Sequence, residues 1–171
     1  MTDIETVDLL TEKMIAFDKG DARRIQHFLK VHRFAQLIGR REKLDEHTQL
    51  LLECAAVVHD VGIHPAEAEY GYNNGKLQEK FGPQYARPLL EAVGLPEADI
   101  ERICYLVGHH HTYSGIDGAD YQILVEADFL VNLFEDEASE KAIAAAGQKI
   151  FRTSTGKALL EQLYDVPRQR G

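Results

Sequence analysis

Apolar residues recur every three or four positions through most of this chain, which is the spacing of one face of an α-helix. The pattern predicts eight helices, over about 7–17, 21–39, 45–62, 83–93, 95–111, 121–134, 138–150 and 156–164. The segment 62–82 is interrupted by glycines and a proline, so we expect it to be irregular apart from one short helical turn at 65–69. The alternation typical of strands is weak everywhere. The sequence therefore predicts an all-α fold, a single compact bundle of about six to eight helices.

Cap residues and prolines set the predicted boundaries of these helices. Asp21 and Asp45 stand where a side-chain oxygen can cap a helix N-terminus, and Gly39 stands where a helix commonly stops. We predict Pro83 in the first turn of the fourth helix, where backbone N–H groups have no intrahelical partner and a proline costs no hydrogen bond. Pro88 is expected to kink or restart that helix.

The composition is that of an ordinary globular protein with an acidic surface. The chain has 171 residues, which predicts one domain over 1–171, and 19 basic against 28 acidic residues give a net charge of −9. Such a surface repels nucleic-acid backbones and anionic lipids, and no apolar run approaches the ~20 residues that span a bilayer. We therefore expect neither a nucleic-acid polymer nor a membrane as a partner. An acidic start and two cysteines in apolar surroundings predict a cytoplasmic protein with reduced thiols.

Four polar residues interrupt otherwise apolar helix faces: His27, His59, Asp60 and Asp128. A buried imidazole or carboxylate is unfavourable unless it is paired or bound to a metal, and a divalent cation is the simplest common partner. This donor set suits Mn, Fe, Co, Ni or Zn better than Mg. Each residue taken alone is also explained by a local bond, such as an ion pair between Asp128 and Arg24. The adjacent pair His59-Asp60 favours the metal, because neighbours on a helix converge on one site only at a helix end.

Three segments together resemble the H…HD…D signature of the HD-domain metal-dependent phosphohydrolases. They read RIQHFLKV at 24–31, AAVVHDVG at 55–62 and AD at 127–128, and the resemblance covers about residues 23–134. It implies an all-helical bundle in which the four polar residues named above are the ligands of one divalent metal ion. Residues 135–171 are expected to form a C-terminal helical extension that covers the bundle or provides a homodimer contact.

A run of three histidines, His109-His110-His111, ends the fifth predicted helix. Branches of the family that resemble cyclic-dinucleotide phosphodiesterases carry paired histidines here and hold a second metal, with a further His where this chain has Gln78. Gln78 is a poor transition-metal ligand, and Thr112 breaks the usual continuation of the motif. We therefore expect His110 and His111 to donate to phosphate or to protonate the leaving group rather than to bind metal. The alternative is a solvated cluster at a helix end.

Other residues near these motifs are candidates for binding phosphate or moving protons. Arg24 and Lys30 stand three positions before and after the first predicted ligand, so they can lie over the metal end of their helix and bind phosphate oxygens. A solvated basic face is the alternative. His64, Glu67 and Glu69 follow the HD pair, and any of them could serve as a general base. The sequence singles out none of the three.

These observations predict a cytoplasmic, metal-dependent phosphohydrolase that acts as a phosphomonoesterase or phosphodiesterase on a small phosphorylated molecule. The resemblance makes a nucleotide the expected substrate. The metal would acidify a bound water, Asp60 or a loop carboxylate would orient it, and His110 or His111 would protonate the leaving oxygen. The alternative is a non-catalytic metal-containing module that binds a nucleotide signal or a protein partner. A metal-dependent oxygenase is a third option, which Gln78 disfavours.

Overall fold

The computed structural model describes residues 1–166, and over that range the chain is all-helical, as predicted. Nine α-helices follow one another in this part of the chain: α1 (Asp3–Phe17), α2 (Ala22–Arg41), α3 (Glu46–Val58), α4 (Ile63–Tyr70), α5 (Gly75–Ala92), α6 (Glu97–Val107), α7 (Ala119–Glu135), α8 (Glu140–Lys149) and α9 (Ser154–Tyr164). None of these helices is long and apolar enough to cross a membrane. Residues 167–171, which belong to the predicted C-terminal extension, lie outside the described range.

Side chains cap most of these helices, and two of the caps are the predicted ones. Asp21 accepts a hydrogen bond from the backbone N–H of Arg24 at 3.1 Å, and Asp45 accepts one from that of Thr48 at 2.8 Å. Each cap satisfies a backbone donor that has no partner within its own helix. The N-cap of α2 thereby lies six residues before the first predicted metal ligand, His27.

α3 lies at the centre of the bundle, where it packs against α1, α2, α6 and α7. Its residues 51–58 are all buried, including Glu53, whose carboxylate accepts hydrogen bonds from Gln36 and Gln49, both at 2.9 Å. α7 is similarly apolar and packs against both α2 and α3. The three helices that carry or precede the predicted metal ligands therefore meet in the core.

The predicted stop at Gly39 is wrong, because α2 continues to Arg41. Gly39 is buried, and a Cβ at this position would lie 2.2 Å from Oε1 of Gln49 and 3.0 Å from the side chain of Leu52. The absence of a side chain at Gly39 thus allows α2 to approach α3 closely, and this glycine does not mark the end of a helix.

The prediction for residues 62–82 is also wrong, since most of this segment is helical. α4 occupies its first half, and α5 begins after an N-cap at Asn74, whose side chain accepts a hydrogen bond from the first turn. Pro83 and Pro88 therefore lie inside α5, which runs through both of them. Gln84, whose carbonyl loses its intrahelical partner at Pro88, is an exposed residue.

A buried carboxylate fastens the C-terminal helices to α7. Glu126 accepts hydrogen bonds from the amide of Gln122 at 2.6 Å and from the backbone N–H of Arg152 at 3.0 Å. It also accepts bonds from the backbone N–H and the hydroxyl of Thr153, at 3.1 and 2.6 Å. α9 packs against α7 and α2 and so covers one side of the bundle.

Candidate metal centre

The four predicted ligands come from three places in the chain that the fold brings together. His27 lies in the second turn of α2, on its buried face, and Asp128 lies in the middle of α7. His59 is the C-cap of α3, and Asp60 follows it directly. Because α3 ends there, the two neighbouring side chains can turn toward the same point, as the sequence argument requires.

Four side-chain atoms converge at this point. Nε2 of His27 lies 3.1 Å from Oδ2 of Asp60, 3.2 Å from Oδ1 of Asp128 and 3.3 Å from Nε2 of His59. Nε2 of His59 lies 3.3 Å from Oδ2 of Asp60 and 3.4 Å from Oδ1 of Asp128. Two ligand atoms that are each about 2.1 Å from an ion and at right angles to one another are about 3.0 Å apart. The cluster therefore has the dimensions of a metal site.

The outer edges of the two imidazoles are held by hydrogen-bond acceptors. Nδ1 of His27 donates to Oε1 of Glu135 at the end of α7, and Nδ1 of His59 donates to the backbone carbonyl of Ala56 at 2.7 Å. A carboxylate or carbonyl oxygen can only accept, so the ring hydrogen of each neutral histidine is on Nδ1. The lone pair of each Nε2 then faces the cluster, which is the arrangement that metal-bound histidines adopt.

The pKa shifts of the side chains in this cluster indicate that it stabilises positive charge at its centre. Burial alone lowers the pKa of His27, but the contacts with Asp128 and Asp60 outweigh it and raise this pKa to about 10. Burial has the opposite effect on Asp60 and raises its pKa. His59, His110 and His27 outweigh burial and together hold the pKa of Asp60 well below its ordinary value. Oδ1 of Asp128 is enclosed and has no hydrogen-bond partner among the described residues. A divalent cation supplies the charge that protons otherwise provide, so the donor set fits a metal ion.

His110 faces the same cluster from the other side of Asp60. Its side chain is buried, 1% exposed, and its Nδ1 donates to the carbonyl of Val107 at 2.6 Å. Its Nε2 lies 3.4 Å from Oδ1 of Asp60 and has no hydrogen-bond partner in the described part of the chain. Both atoms are acceptors when the imidazole is neutral, so a proton or a cation must lie between them. Asp60, His110 and His111 offer atoms within 4.8 Å of one another.

The other two histidines of the run have different surroundings. Nε2 of His111 is 2.6 Å from Oε1 of Gln78, and its Nδ1 is 3.4 Å from the hydroxyl of Tyr113. Burial, and after it the neighbouring His110, lower the pKa of His111 to about 4, so this imidazole is neutral at pH 7. His109 stacks on Tyr105 with ring centroids 4.0 Å apart. Of the three histidines, His110 is thus the one whose free nitrogen faces Asp60.

In residues 1–166 no hydrogen bond or ion pair joins the side chains of the predicted phosphate-binding residues to those of the four predicted ligands. The ammonium of Lys30 is exposed and lies 5.8 Å from the centre of the Phe134 ring, one residue before Glu135. Arg24 is half-buried, and its charge acts on Asp18 at the end of α1. The roles of Arg24 and Lys30 in binding phosphate stay predictions.

Glu135 and Tyr113 are candidate site residues that the sequence reasoning missed. Glu135 stands seven positions after Asp128, which is two helical turns, so both lie on the same face of α7. That spacing was a usable signal in the sequence. Tyr113 follows the histidines in an irregular segment and packs against Phe129, with ring centroids 5.2 Å apart. No spacing in the sequence predicts that contact.

Comparison with known proteins agrees with this geometry. A model of the family described as "HD domain" matches residues 24–147. Among solved structures, a predicted HD superfamily hydrolase from an uncultured Thermotogales bacterium is 27% identical, with a TM-score of 0.63 over 94% of this chain and 84% of that one. A search among curated proteins found no significant match. These findings support a metal-dependent hydrolase in general terms, and the chain belongs to the HD-domain family.

Proposed function

We propose that this protein hydrolyses a phosphoester bond of a small phosphorylated molecule, a nucleotide, with one divalent transition-metal ion. The observation that carries the proposal is the convergence of four donor atoms from α2, the end of α3 and α7 on one buried point. Oδ1 of Asp128, which lies there, has no hydrogen-bond partner among residues 1–166. Two imidazoles and two carboxylates favour Mn, Fe, Co, Ni or Zn over Mg.

A divalent ion held by His27, His59, Asp60 and Asp128 would supply Lewis-acid chemistry to a phosphoryl oxygen and to a water. The protein side chains then have separate tasks. Oδ2 of Asp60 faces the two ligand histidines, whereas its Oδ1 faces His110 at 3.4 Å and is placed to orient an attacking water. His110, with its free Nε2, is the better candidate to protonate the leaving oxygen. His111 supports it, because its neutral ring lies beside that of His110 and contacts Gln78.

Substrate recognition is assigned to groups around the rim of this cluster. Arg24 and Lys30 carry positive charge on the helix that holds His27, and they would offset charge that builds on the phosphoryl oxygens. Tyr113 is partly exposed beside His111 and offers a ring face on which a nucleobase can stack. A cavity of about 190 Å³ adjoins Tyr113 and is also lined by Gln122, Lys149 and Arg152, among others. An aromatic face next to the exposed, cationic Lys149 supports a nucleotide as the substrate class.

A cytoplasmic location is also proposed. Cys54 and Cys104 are buried and free, as expected for thiols in a reducing compartment. Burial raises the pKa of the Cys54 thiol to about 12, which makes it an unreactive core residue.

Turnover by the metal-loaded protein tests this proposal. The protein is stripped of metal, reloaded separately with Mn, Fe, Co, Ni, Zn or Mg, and assayed against nucleoside monophosphates, cyclic nucleotides, dinucleotides and sugar phosphates. We expect phosphate or nucleotide release with at least one transition metal and a preference for nucleotides over sugar phosphates. Tight binding of a nucleotide without turnover under any metal would favour the non-catalytic module. Preferred turnover of sugar phosphates would contradict the substrate class alone.

A further inference from the structure

A series of hydrogen bonds runs from the surface of α4 to the run of histidines that follows α6, and it contains none of the four predicted metal ligands. Oε1 of Glu67 accepts a hydrogen bond from Nδ2 of Asn73 at 2.7 Å. Oδ1 of Asn73 accepts one from Nε2 of Gln78 at 2.8 Å. Oε1 of Gln78 lies 2.6 Å from Nε2 of His111. Side chains from α4, from the segment after it and from α5 are thus linked in series to His111.

The carboxylate at the outer end gives this series a single direction. A carboxylate oxygen only accepts, so the amide nitrogen of Asn73 must face Glu67 and its amide oxygen must face Gln78. The amide nitrogen of Gln78 then faces Asn73, and its oxygen faces His111. His111 therefore carries a hydrogen on Nε2 and donates it to Gln78. Every donor in the series points toward Glu67.

The opposite edge of the His111 ring is left as an acceptor. Burial lowers the pKa of His111 to about 4, so the ring is neutral at pH 7 and its Nδ1 carries a lone pair. The hydroxyl of Tyr113 lies 3.4 Å from this nitrogen and can only donate to it. The Tyr113 oxygen then keeps its own lone pairs, and Tyr113 is 44% exposed. The open end of the series thus accepts hydrogen bonds and offers none.

This open end lies close to the predicted catalytic groups. One ring nitrogen of His111 lies within 4.8 Å of a carboxylate oxygen of Asp60 and of a ring nitrogen of His110. The first turn of α5 packs against the same ring, because a Cβ at Gly75 would lie 3.3 Å from Cβ and Cγ of His111. A substrate whose phosphate meets Asp60 and His110 would therefore have its adjoining part beside Tyr113.

We propose that Tyr113 and His111 recognise a hydroxyl group on the sugar of the substrate, so that the protein prefers a ribonucleotide to a deoxyribonucleotide. The inference rests on the proposed function and names the substrate class of the same site. A sugar hydroxyl has a hydrogen to donate to the Tyr113 oxygen, whereas an ionised phosphate oxygen has none and is repelled there. The sugar is the part of a nucleotide that is attached to the phosphate, so its hydroxyls come nearest to this end. Gln78 is a positioning residue that acts through His111.

The position of the ring hydrogen on His111 can be measured without a substrate. In zinc-loaded protein labelled with ¹⁵N-histidine, a ring nitrogen that bears hydrogen resonates apart from a bare one, and His111→Gln identifies the signals. We expect hydrogen on Nε2 in the wild-type protein and a mixture of both ring forms in Gln78→Leu. Gln84→Leu, an exposed change on the same helix, should give the wild-type spectrum. Hydrogen on Nδ1 in the wild-type protein would overturn the proposal.

Turnover of ribonucleotides and their deoxy analogues tests the recognition itself. We expect the 2′-deoxy or the 3′-deoxy analogue of the best nucleoside monophosphate to lose about tenfold in kcat/KM, because the Tyr113 acceptor is then unpaired. Tyr113→Phe should hydrolyse the ribonucleotide and its deoxy analogues with similar kcat/KM, and Gln78→Leu should narrow the difference. Tyr72→Phe is the matched control, since Tyr72 is 57% exposed and packs against Tyr70, and it should keep the wild-type difference.

Three results would overturn the inference and leave the proposed hydrolysis standing. The first is equal kcat/KM for the ribonucleotide and both deoxy analogues in the wild-type protein. The second is an undiminished difference between them in Tyr113→Phe. The third is a preference that follows only the amino group of the base, which a comparison of adenosine and inosine monophosphates reveals. Absence of turnover with every nucleotide would overturn the proposed function and the substrate assignment together.

Discussion

Nδ1 of His27 donates a hydrogen bond to Glu135, which stands 108 positions later in the chain. The contact joins the second turn of α2 to the last turn of α7 and turns Nε2 of His27 toward Asp60 and Asp128. A carboxylate behind a ligand histidine fixes its tautomer and makes the other nitrogen a stronger donor to a metal. If the cluster holds a metal ion, Glu135 acts on that ion through His27.

Replacement of Glu135 by Ala should weaken metal binding without removing a ligand. We expect the dissociation constant to rise by about 10–100-fold, as is typical when the partner of a metal-bound histidine is lost. Competition with a chromogenic chelator measures this affinity. Glu101→Ala, an exposed change on α6, should leave it unchanged. Equal affinities in the wild-type protein and Glu135→Ala would show that this contact does not tune a metal.

Removal of the metal should lower thermal stability, because a ligand that binds only the folded state stabilises it by mass action. A free metal concentration 100 times the dissociation constant contributes about 2.7 kcal/mol, which corresponds to a Tm shift of roughly 5–10 °C for a chain of this size. Differential scanning calorimetry with and without a chelator measures the shift. Asp128→Ala, which lacks a ligand, should show almost none. An unchanged Tm with metal demonstrably removed would count against a site in the core.

Replacement of His110 should separate proton transfer from metal binding. We expect His110→Ala to keep one metal ion per chain while turnover falls by about 10²–10⁴-fold, as for the loss of a general acid. The loss should be smaller for an aryl phosphate, whose leaving oxygen needs no proton. His109→Ala is the matched control, since His109 stacks on Tyr105. The prediction is falsified if His110→Ala loses metal in proportion to activity, which would place a second ion between His110 and Asp60.

Replacement of Asp18 by Asn should change stability in a pH-dependent way. Burial raises the pKa of this carboxyl from 3.8 to about 6, so the folded state holds its proton more tightly than the unfolded state. The wild-type protein therefore loses stability from this group as the pH rises from about 4 to about 6. In the presence of a chelator, Asp18→Asn should melt at a higher temperature than the wild type at pH 7.5 and at a similar temperature at pH 4. A gain of the same size at both pH values would contradict the raised pKa.

The sequence was sufficient to predict the fold class and to single out four polar residues that the fold brings together, because both depend on local patterns. His27 and Asp128 interrupt apolar helix faces, and His59-Asp60 stands at a helix end marked by Gly62. Helical periodicity also identifies most helices correctly. A charged residue on an apolar helix face can be recognised in the sequence as a candidate functional residue, because burying it without a partner is energetically unfavourable.

Features that depend on contacts between distant helices were not predictable in this way. Gly39 resembles a helix stop, but it is a glycine because Gln49 and Leu52 approach it closely. Pro83 resembles a helix start, whereas the cap that begins α5 is Asn74. The acceptor for the His59 ring is a backbone carbonyl, which has no signature in a sequence.

The metal content of the purified protein tests the central claim most directly. Elemental analysis is performed on the wild-type protein and on Asp60→Ala, with circular dichroism to show that the helices are retained. If His27, His59, Asp60 and Asp128 hold one ion, the wild-type protein should contain about one divalent transition-metal ion per chain. Asp60→Ala should then contain almost none and should hydrolyse no substrate. Full metal occupancy in Asp60→Ala, with the helical spectrum intact, would contradict the assignment of the site.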